Sequence, residues 1–335
     1  MGMKEEIRER MRESGAVAVG FAEAGPVADG VVERYLKWIS EGRHAGMGYM
    51  ERYLEIRRDP RMLLEGARTV CSLAFSYHPA EERDTRLPHI SRYAYGEDYH
   101  HVLKRKLTPI VEEIDRIYGS VSRICVDSAP IFERWWGWKA GIGIIGDNGA
   151  LITDGYGSEV FLAEVVTTLR IEPDSPQEGD CGHCGACRRN CPGGALGMSG
   201  NGLGKNTDPD SKTTTGGEDM TIDCRRCLSY LTIEHKGEWE GESREVMEKE
   251  EGRTTLFGCD VCVAGCPHNR GIPATEIEEF GMSGFVREAD AARMAAMTGG
   301  DFRRVLRGSA IFRARLAGLR RNLGLPEKPE QKLCF

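Results

Sequence analysis

Apolar residues recur every three or four positions in several segments of the chain, as they do on one face of an amphipathic helix. In the longest of these segments, Leu103, Leu107, Val111 and Ile114 share one face. Charged and polar residues occupy most of the positions between them. We therefore expect helices at residues 4–14, 31–40, 49–57, 101–118 and 133–140.

Other segments are short apolar runs enriched in β-branched and aromatic residues, which is typical of buried strands. Such runs occur at residues 16–22, 68–77, 121–126, 150–153 and 159–170. They alternate with the expected helices as far as residue 173. The sequence therefore predicts an α/β domain, in the broad sense that includes α+β folds, over residues 1–173.

The chain after residue 173 changes character twice. Residues 174–285 contain most of the cysteines. Within this segment, residues 199–220 lack cysteine and consist mainly of Gly, Asn, Thr, Asp and Ser. That composition predicts a flexible insert. Residues 286–335 form a third segment that is helical by pattern over 289–323, with seven arginines and no acidic residue between Arg303 and Arg321. We expect a short, basic, helical C-terminal segment.

Charge and hydropathy restrict the class of protein. The 45 Lys and Arg and 52 Asp and Glu residues give a net charge of −7, which argues against a wholly basic nucleic-acid coat. No run approaches the roughly 18 to 20 apolar residues that a membrane span requires. The first residues are charged where a signal peptide would be apolar. We therefore expect a cytoplasmic protein that does not contact a membrane.

The first cysteine group has the spacing C-x₂-C-x₂-C-x₃-C-P of bacterial ferredoxins. Cys181, Cys184 and Cys187 can bind three irons of one [4Fe–4S] cube. In two-cluster ferredoxins the fourth cysteine, here Cys191 before Pro192, binds the other cube. The spacing therefore predicts two clusters rather than one.

The second group, Cys259, Cys262 and Cys266 before Pro267, repeats the end of this pattern but lacks its first cysteine. Cys224 and Cys227 are the nearby candidates for the missing ligand. We apply the ferredoxin rule that the cysteine before proline binds the cluster of the other group, an arrangement called crossed below, and take Cys227 as the missing ligand. The first predicted set is then Cys181, Cys184, Cys187 and Cys266. The second is Cys191, Cys227, Cys259 and Cys262.

Two Cys₄ zinc sites are the alternative reading of these cysteines, since zinc takes the same ligand type. The C-P endings and the crossed sets favour two cubes. Residues 174–285 are thus expected to form a bacterial-ferredoxin-like domain that carries electrons. A ferredoxin-like carrier without a substrate of its own is one possible function, but the large preceding domain favours an enzyme.

Gly141, Gly143 and Gly146 match the G-x-G-x-x-G pattern of dinucleotide-binding loops. That motif must follow a strand and open a helix. Here the preceding residues have helical spacing and the following ones resemble a turn into a strand. We therefore predict that these glycines form a tight corner or approach a flat cofactor, rather than bind a dinucleotide.

Several longer stretches resemble the epoxyqueuosine reductases of tRNA queuosine synthesis, and the likeness extends over about residues 5 to 323. The family has cysteine groups of this kind, and Cys227 occupies the matched position between them. The stretches are residues 90–100, 126–130, 140–148, 181–192, 225–237, 257–269 and 307–313.

The resemblance implies a cobalamin-dependent oxidoreductase that reduces epoxyqueuosine to queuosine at the wobble position of tRNA. Cobalamin would bind in the N-terminal domain beside the clusters, which an external low-potential donor would reduce. The chain lacks the Asp-x-His-x-x-Gly loop of His-ligated cobalamin proteins, since Leu103 follows Asp98 and His100 where Gly would be needed. This departure implies base-off cobalamin. A cobalamin-dependent reductase of a small molecule, like the reductive dehalogenases, is the remaining alternative.

Asp127 matches the Val-Asp-Ser/Thr-Ala-Pro motif of the family, which implies that it is the general acid for the departing epoxide oxygen. This role requires burial or a nearby negative charge to raise its pKa. Alternatively, Asp127 could cap a helix. The matched stretches also supply candidates to line the corrin ring: Ser91, Tyr93, Asp98, Tyr99, Gly146, Asn148 and Leu151.

Two positions depart from the family pattern, which commonly has an aromatic residue near Ile144 and a lysine at Asp147. The arginines between Arg303 and Arg321 could pair with phosphates of a tRNA anticodon stem, or form a solvated helix face.

Overall fold

The computed structural model describes residues 2–197 and 222–326, so the predicted flexible insert at 199–220 lies outside the described residues. Strands within this part of the chain are β1 Ala18–Glu23, β2 Thr69–Ser76, β3 His89–Ile90, β4 Ser122–Cys125, β5 Ile144–Ile145, β6 Leu151–Ile152, β7 Val160–Thr167 and β8 Thr255–Phe257.

Helices alternate with these strands and then dominate the second half of the chain. Their bounds are α1 Met3–Arg12, α2 Asp29–Ser40, α3 Leu54–Arg58, α4 Tyr99–Tyr118, α5 Glu133–Lys139, α6 Ala186–Arg189, α7 Leu228–Ile233, α8 Gly241–Met247, α9 Glu250–Arg253, α10 Val261–Ala264, α11 Gly284–Glu288, α12 Ala291–Ala296, α13 Gly299–Leu306 and α14 Arg315–Asn322.

An antiparallel sheet of order β1-β2-β7-β4 is the centre of the N-terminal half. Helices cover both faces: α1 and α4 pack on one, where Leu73 and Leu107 are buried, and α2 and α5 pack on the other, with Val70 and Trp136. Every residue of β2 is buried, which explains why apolar residues occupy both faces of this strand. The predicted mixture of helices and strands is confirmed.

One predicted helix is wrong in extent. Residues 49–57 do not form a continuous helix: a 3₁₀ turn at Gly48–Glu51 precedes the short helix α3. Between them, Tyr53 has a left-handed backbone with φ of 59°, which interrupts helical hydrogen bonding. The predicted C-terminal helix at 289–323 is likewise divided into α12, α13, a 3₁₀ turn at Ala310–Ala314 and α14.

The C-terminal part of the chain packs closely against the region around residue 90. β3 pairs in parallel with β8, and Ile90 and Tyr95 share a core with Phe257, Met294 and Leu319. The backbone N–H of Asp98 also donates to the carbonyl of Gly308. The C-terminal segment thereby lies beside the first turn of α4.

Candidate active site and cluster sites

The first turn of α4 fixes the position of His100. Asp98 is the N-cap of this helix, and its Oδ1 accepts hydrogen bonds from the backbone N–H of His100 at 3.0 Å and from His100 Nδ1 at 2.7 Å. N-capping by Asp is a common way to satisfy a free helix amide. Here the same carboxylate also orients the imidazole.

Asp127 follows β4 and faces this turn of α4. Its Oδ2 accepts a hydrogen bond from the Tyr99 hydroxyl at 2.8 Å and lies 3.1 Å from His100 Nε2. The ring of Tyr99 stacks on Phe161 of the sheet, with centroids 4.2 Å apart. Asp127 is not the cap of α5, whose N-cap residue is Phe132. The helix-cap reading of Asp127 therefore does not fit the structure.

The structure contradicts the raised pKa that the sequence analysis required of Asp127 as a general acid. Partial desolvation opposes ionisation of Asp127, but hydrogen bonds from His100 and Tyr99 bring the pKa of Asp127 below its ordinary value. Burial lowers the pKa of His100, but hydrogen bonds and charges from Asp127 and Asp98 raise it overall to about 9. At neutral pH the proton of this pair therefore resides on His100.

Because the pKa of folded His100 exceeds its ordinary value of 6.5, its protonation stabilises the native state below pH 6.5, and that contribution disappears as pH rises through about 9. The free energy of unfolding of His100→Gln should therefore differ most from wild type at pH 6 and least above pH 9. Anaerobic denaturant titrations across this range measure the difference. His101→Gln, at an exposed position of the same helix, is the control. A difference independent of pH would contradict the assignment.

Two further carboxyl groups lie beneath Asp127, and the sequence analysis did not identify them. Glu133 begins α5, and its Oε1 accepts the backbone N–H of Asp127 at 2.5 Å. Glu164 lies in the middle of β7, is 0% exposed and is directly opposite Cys125 of β4. An acidic residue inside an otherwise apolar strand was the available signal for Glu164.

The C-terminal segment contributes Arg313 to the same region. The Arg313 guanidinium bonds with Glu234 and lies over the ring of Tyr49, 5.7 Å from its centroid. Its positive charge also helps to lower the pKa of Asp127, after the hydrogen bonds from His100 and Tyr99. Three distant parts of the chain thus converge near Asp127.

The first predicted cysteine set lines one cleft. Cys181, Cys184, Cys187 and Cys266 line a small cleft that is partly open to solvent. Gly146, Asp147 and Asn148 form another part of its wall. The structure therefore brings Cys266 of the second sequence group to three cysteines of the first.

The second predicted set is also brought together. Burial raises the pKa of the Cys262 thiol, and the nearby Cys259, Cys227 and Cys191 raise it further in that order. The same residues act on Cys259, where burial, Cys227 and Cys191 contribute to a pKa of about 12. These interactions show that the four thiols lie close together, as the ligands of one metal centre must.

Asp147 makes its own contact at the edge of the first cleft. Its Oδ1 lies 2.7 Å from Nδ1 of His183, which lies between Cys181 and Cys184 in the sequence. The side chain of Asn148 donates to the carbonyl of Cys262 at 3.3 Å. Gly146 and Asn148, predicted to line the corrin ring, are thus placed next to the cysteine sets.

The glycine motif at 141–146 forms a corner rather than a nucleotide loop. It joins α5 to the β5–β6 hairpin, and the next element after it is the strand β6. A Cβ on Gly143 would lie 2.4 Å from the carbonyl oxygen of Ile152, so this position requires glycine. The rejection of dinucleotide binding agrees with this geometry.

The remaining candidates for cofactor contact lie at different depths. Tyr93 is close to Tyr99, with ring centroids 6.3 Å apart. Ser91 is buried, and its hydroxyl donates to Asp260 beside Cys259. Leu151 is buried in a core with Ile142. The structure thus groups Tyr93, Asp98 and Tyr99 near Asp127, whereas the side chains of Ser91 and Leu151 face the interior.

The seven C-terminal arginines fall into two groups. Arg320 is buried and donates to the carbonyls of Met294, Ala295 and Met297, and Arg321 donates to those of Leu231, His235 and Gly237. These two have structural roles. The side chains exposed at the surface are Arg303, Arg304, Arg307, Arg313 and Arg315.

Within residues 2–197 and 222–326, the helices are too short or too polar to cross a bilayer.

Comparison with known proteins identifies the family of this chain. Residues 57–128 match a protein-family model described as epoxyqueuosine reductase QueG, and residues 180–269 match one described as a 4Fe-4S double cluster binding domain. An epoxyqueuosine reductase from Leadbetterella byssophila is 35% identical over 315 residues, covering 92% of this chain and 95% of the relative. The chain belongs to the epoxyqueuosine reductase family. It is therefore an oxidoreductase with an iron–sulfur domain, and the zinc reading of its cysteines is disfavoured.

Solved structures of this family have the same fold. The epoxyqueuosine reductase from Streptococcus thermophilus aligns with a TM-score of 0.80 and 29% identity, covering 96% of this chain and 80% of that one. An epoxyqueuosine reductase with an epoxyqueuosine-modified tRNA-Tyr stem loop aligns with the same TM-score, 27% identity and the same coverage. The resemblance inferred from the sequence motifs is confirmed.

Proposed function

We propose that this chain reduces epoxyqueuosine to queuosine in the anticodon stem-loop of tRNA, with two [4Fe–4S] clusters as electron carriers and base-off cobalamin as cofactor. The observation that carries the proposal is the convergence of Asp127, Tyr99 and His100 in a molecule that also assembles two sets of four cysteines. Removal of an epoxide oxygen requires electrons and protons, and these two features would supply both.

The cysteine sets fit two clusters by their number and placement. We assign Cys181, Cys184, Cys187 and Cys266 to one cluster, since they line one cleft. We assign Cys191, Cys227, Cys259 and Cys262 to the other, since their thiols are mutual neighbours. An external low-potential protein would reduce them. Each set combines cysteines from both sequence groups, as in two-cluster ferredoxins.

The side chains near Asp127 also fit cobalamin that has no imidazole ligand. Both ring nitrogens of His100 are engaged, Nδ1 by Asp98 and Nε2 by Asp127, so this imidazole is not available to a metal. When bound, cobalamin would supply a strongly reducing centre. Tyr93, Tyr99 and Asn148 are the proposed contacts that would orient it.

Asp127 and His100 would manage the proton. His100 carries it at rest, since its pKa is raised to about 9. Asp127, hydrogen-bonded to His100 and with a half-exposed side chain, would pass a proton to the departing oxygen. The Tyr99 hydroxyl holds the Asp127 carboxyl towards α4, and its stacking on Phe161 restrains that hydroxyl.

The direct test is anaerobic turnover of an anticodon stem-loop that contains epoxyqueuosine, with a low-potential chemical reductant and cobalamin. Mass spectrometry of the digested RNA should show loss of one oxygen atom. The same stem-loop with unmodified guanosine is the control. If cluster-loaded, cobalamin-bound protein leaves epoxyqueuosine unchanged, the proposal is wrong.

The exposed arginines provide a prediction about RNA binding. Arg303→Ala and Arg307→Ala should each weaken binding of the stem-loop and reduce the slope of log affinity against log salt by about 0.7 to 0.9, because each lost phosphate contact releases fewer counterions. Fluorescence anisotropy at several salt concentrations measures this slope.

Arg320→Ala is the matched control, because its guanidinium donates to backbone carbonyls in the core. It should leave the salt slope unchanged and lower the free energy of unfolding by about 1–3 kcal/mol. Unchanged salt slopes for both exposed variants would instead indicate a solvated surface.

A further inference from the structure

The backbone at Asp127 is strained and is held by one side chain. Asp127 has φ of +50°, which is unusual for a residue other than glycine, and the N–H of Ser128 bonds back to the carbonyl of Val126. A strained turn persists only when its surroundings hold it. The contact that holds the Asp127 amide is the 2.5 Å hydrogen bond to Glu133 Oε1.

A second buried carboxyl group, that of Glu164, lies near Glu133. Glu164 projects from β7 towards α5, on the same face of the sheet as Val166, which shares a core with Trp136 of α5. Among the described residues, neither carboxyl oxygen of Glu164 has a hydrogen-bond partner, although both are buried. A buried carboxyl group without a partner remains neutral, because its ionised form is poorly solvated there.

We propose that Glu133 is a positioning residue that, in its protonated form, holds Asp127 in the turn required for proton delivery. This inference rests on the proposed function of Asp127. The carbonyl oxygen of a neutral Glu133 side chain accepts the Asp127 N–H without repelling the Asp127 carboxylate. An ionised Glu133 would place a second negative charge beside it.

The groups around Glu133 explain its charge state. Burial and then the charge of Asp127 raise the pKa of Glu133 to about 8, whereas the Asp127 N–H, Arg134 and His100 act in the opposite direction. Tyr99, Cys125 and Glu164 also face it from α4, β4 and β7. Glu133 is therefore neutral below about pH 8 and becomes charged above it.

Two substitutions separate the hydrogen bond from the charge. Glu133→Ala removes the acceptor and should lower kcat by about 10²-fold below pH 8, as expected when a reacting group is displaced by about 1 Å. Glu133→Gln keeps an acceptor that cannot ionise. It should recover most of the turnover that Glu133→Ala loses, and it should remove the decline in kcat that we expect for wild type near pH 8.

Infrared spectroscopy provides a readout that does not depend on turnover. Cluster-loaded protein without RNA should show a protonated carboxylic acid band that titrates near pH 8 and is absent from Glu133→Gln. Glu112→Gln, at an exposed position of α4, should keep both the band and the wild-type pH profile.

Three results would overturn the inference: a decline near pH 8 that persists in Glu133→Gln, a Glu133→Ala variant with wild-type kcat, or no acid band assignable to Glu133. The first two require turnover and the third does not. Wild-type protein that fails to reduce epoxyqueuosine but shows the Glu133 band would contradict the proposed function, while Glu133 would still be shown to be protonated beneath Asp127.

Discussion

Asp127→Asn should retain both clusters and cobalamin and lose turnover of epoxyqueuosine by about 10² to 10⁴-fold, the usual contribution of general acid catalysis. The amide preserves the size of the side chain and can still accept the Tyr99 hydroxyl. It cannot take a proton from His100 and pass it on. Iron and corrin analysis, together with turnover under saturating reductant, measures the effect.

Asp154→Asn, in an exposed loop, is the control for a changed surface charge. Near-normal turnover by cofactor-loaded Asp127→Asn would show that protonation comes from another group, with His100 the next candidate. Loss of cobalamin from the variant would show instead that Asp127 binds the cofactor.

Cys191→Ala and Cys266→Ala should each remove about half of the roughly eight irons expected for two cubes, but from different clusters. Double variants show which cluster each cysteine binds. If the crossed assignment is correct, Cys191→Ala with Cys262→Ala affects a single cluster and keeps the other half of the iron. Cys191→Ala with Cys187→Ala affects both clusters and loses nearly all iron. Iron content and electron paramagnetic resonance of the reduced protein measure these results.

Cys224 and Cys227 provide a matched pair for the same experiment. The neighbours that act on Cys262 include Cys227, and Cys227 itself lies near Cys191. Cys227→Ser should therefore lose the cluster of Cys259 and Cys262, whereas Cys224→Ser should keep full iron. The opposite result would make Cys224 the ligand. Loss of the same cluster from every cysteine variant of one sequence group would contradict the crossed assignment.

The spacing of apolar residues predicted those helices and strands whose buried faces are regular along the sequence. The apolar face of α4 and the fully buried β2 were identified because their side chains pack against neighbouring layers in a regular pattern. The helix at 49–57 was wrong because Tyr53 has a left-handed backbone conformation that divides it. Residue spacing contains no sign of it.

The same distinction applies to the candidate site. The cysteine sets could be proposed from their spacing and from a general rule of two-cluster ferredoxins. Asp127 was found from a motif, but the groups that control its charge were not. His100, Glu133 and Glu164 meet it only after α4, α5 and β7 pack together, and Arg313 reaches it from the far end of the chain.

The parallel pairing of β3 with β8 has a consequence for biosynthesis. Ile90 is registered with Phe257, and its core is completed by Leu319 of α14. A ribosome must therefore synthesise the chain through α14 before the region around residue 90 can reach its final position. Cys259 and Cys262 emerge immediately after β8, so the ligands of the second cluster become complete at nearly the same moment. We therefore expect the second cluster to be assembled only after β8 has been synthesised.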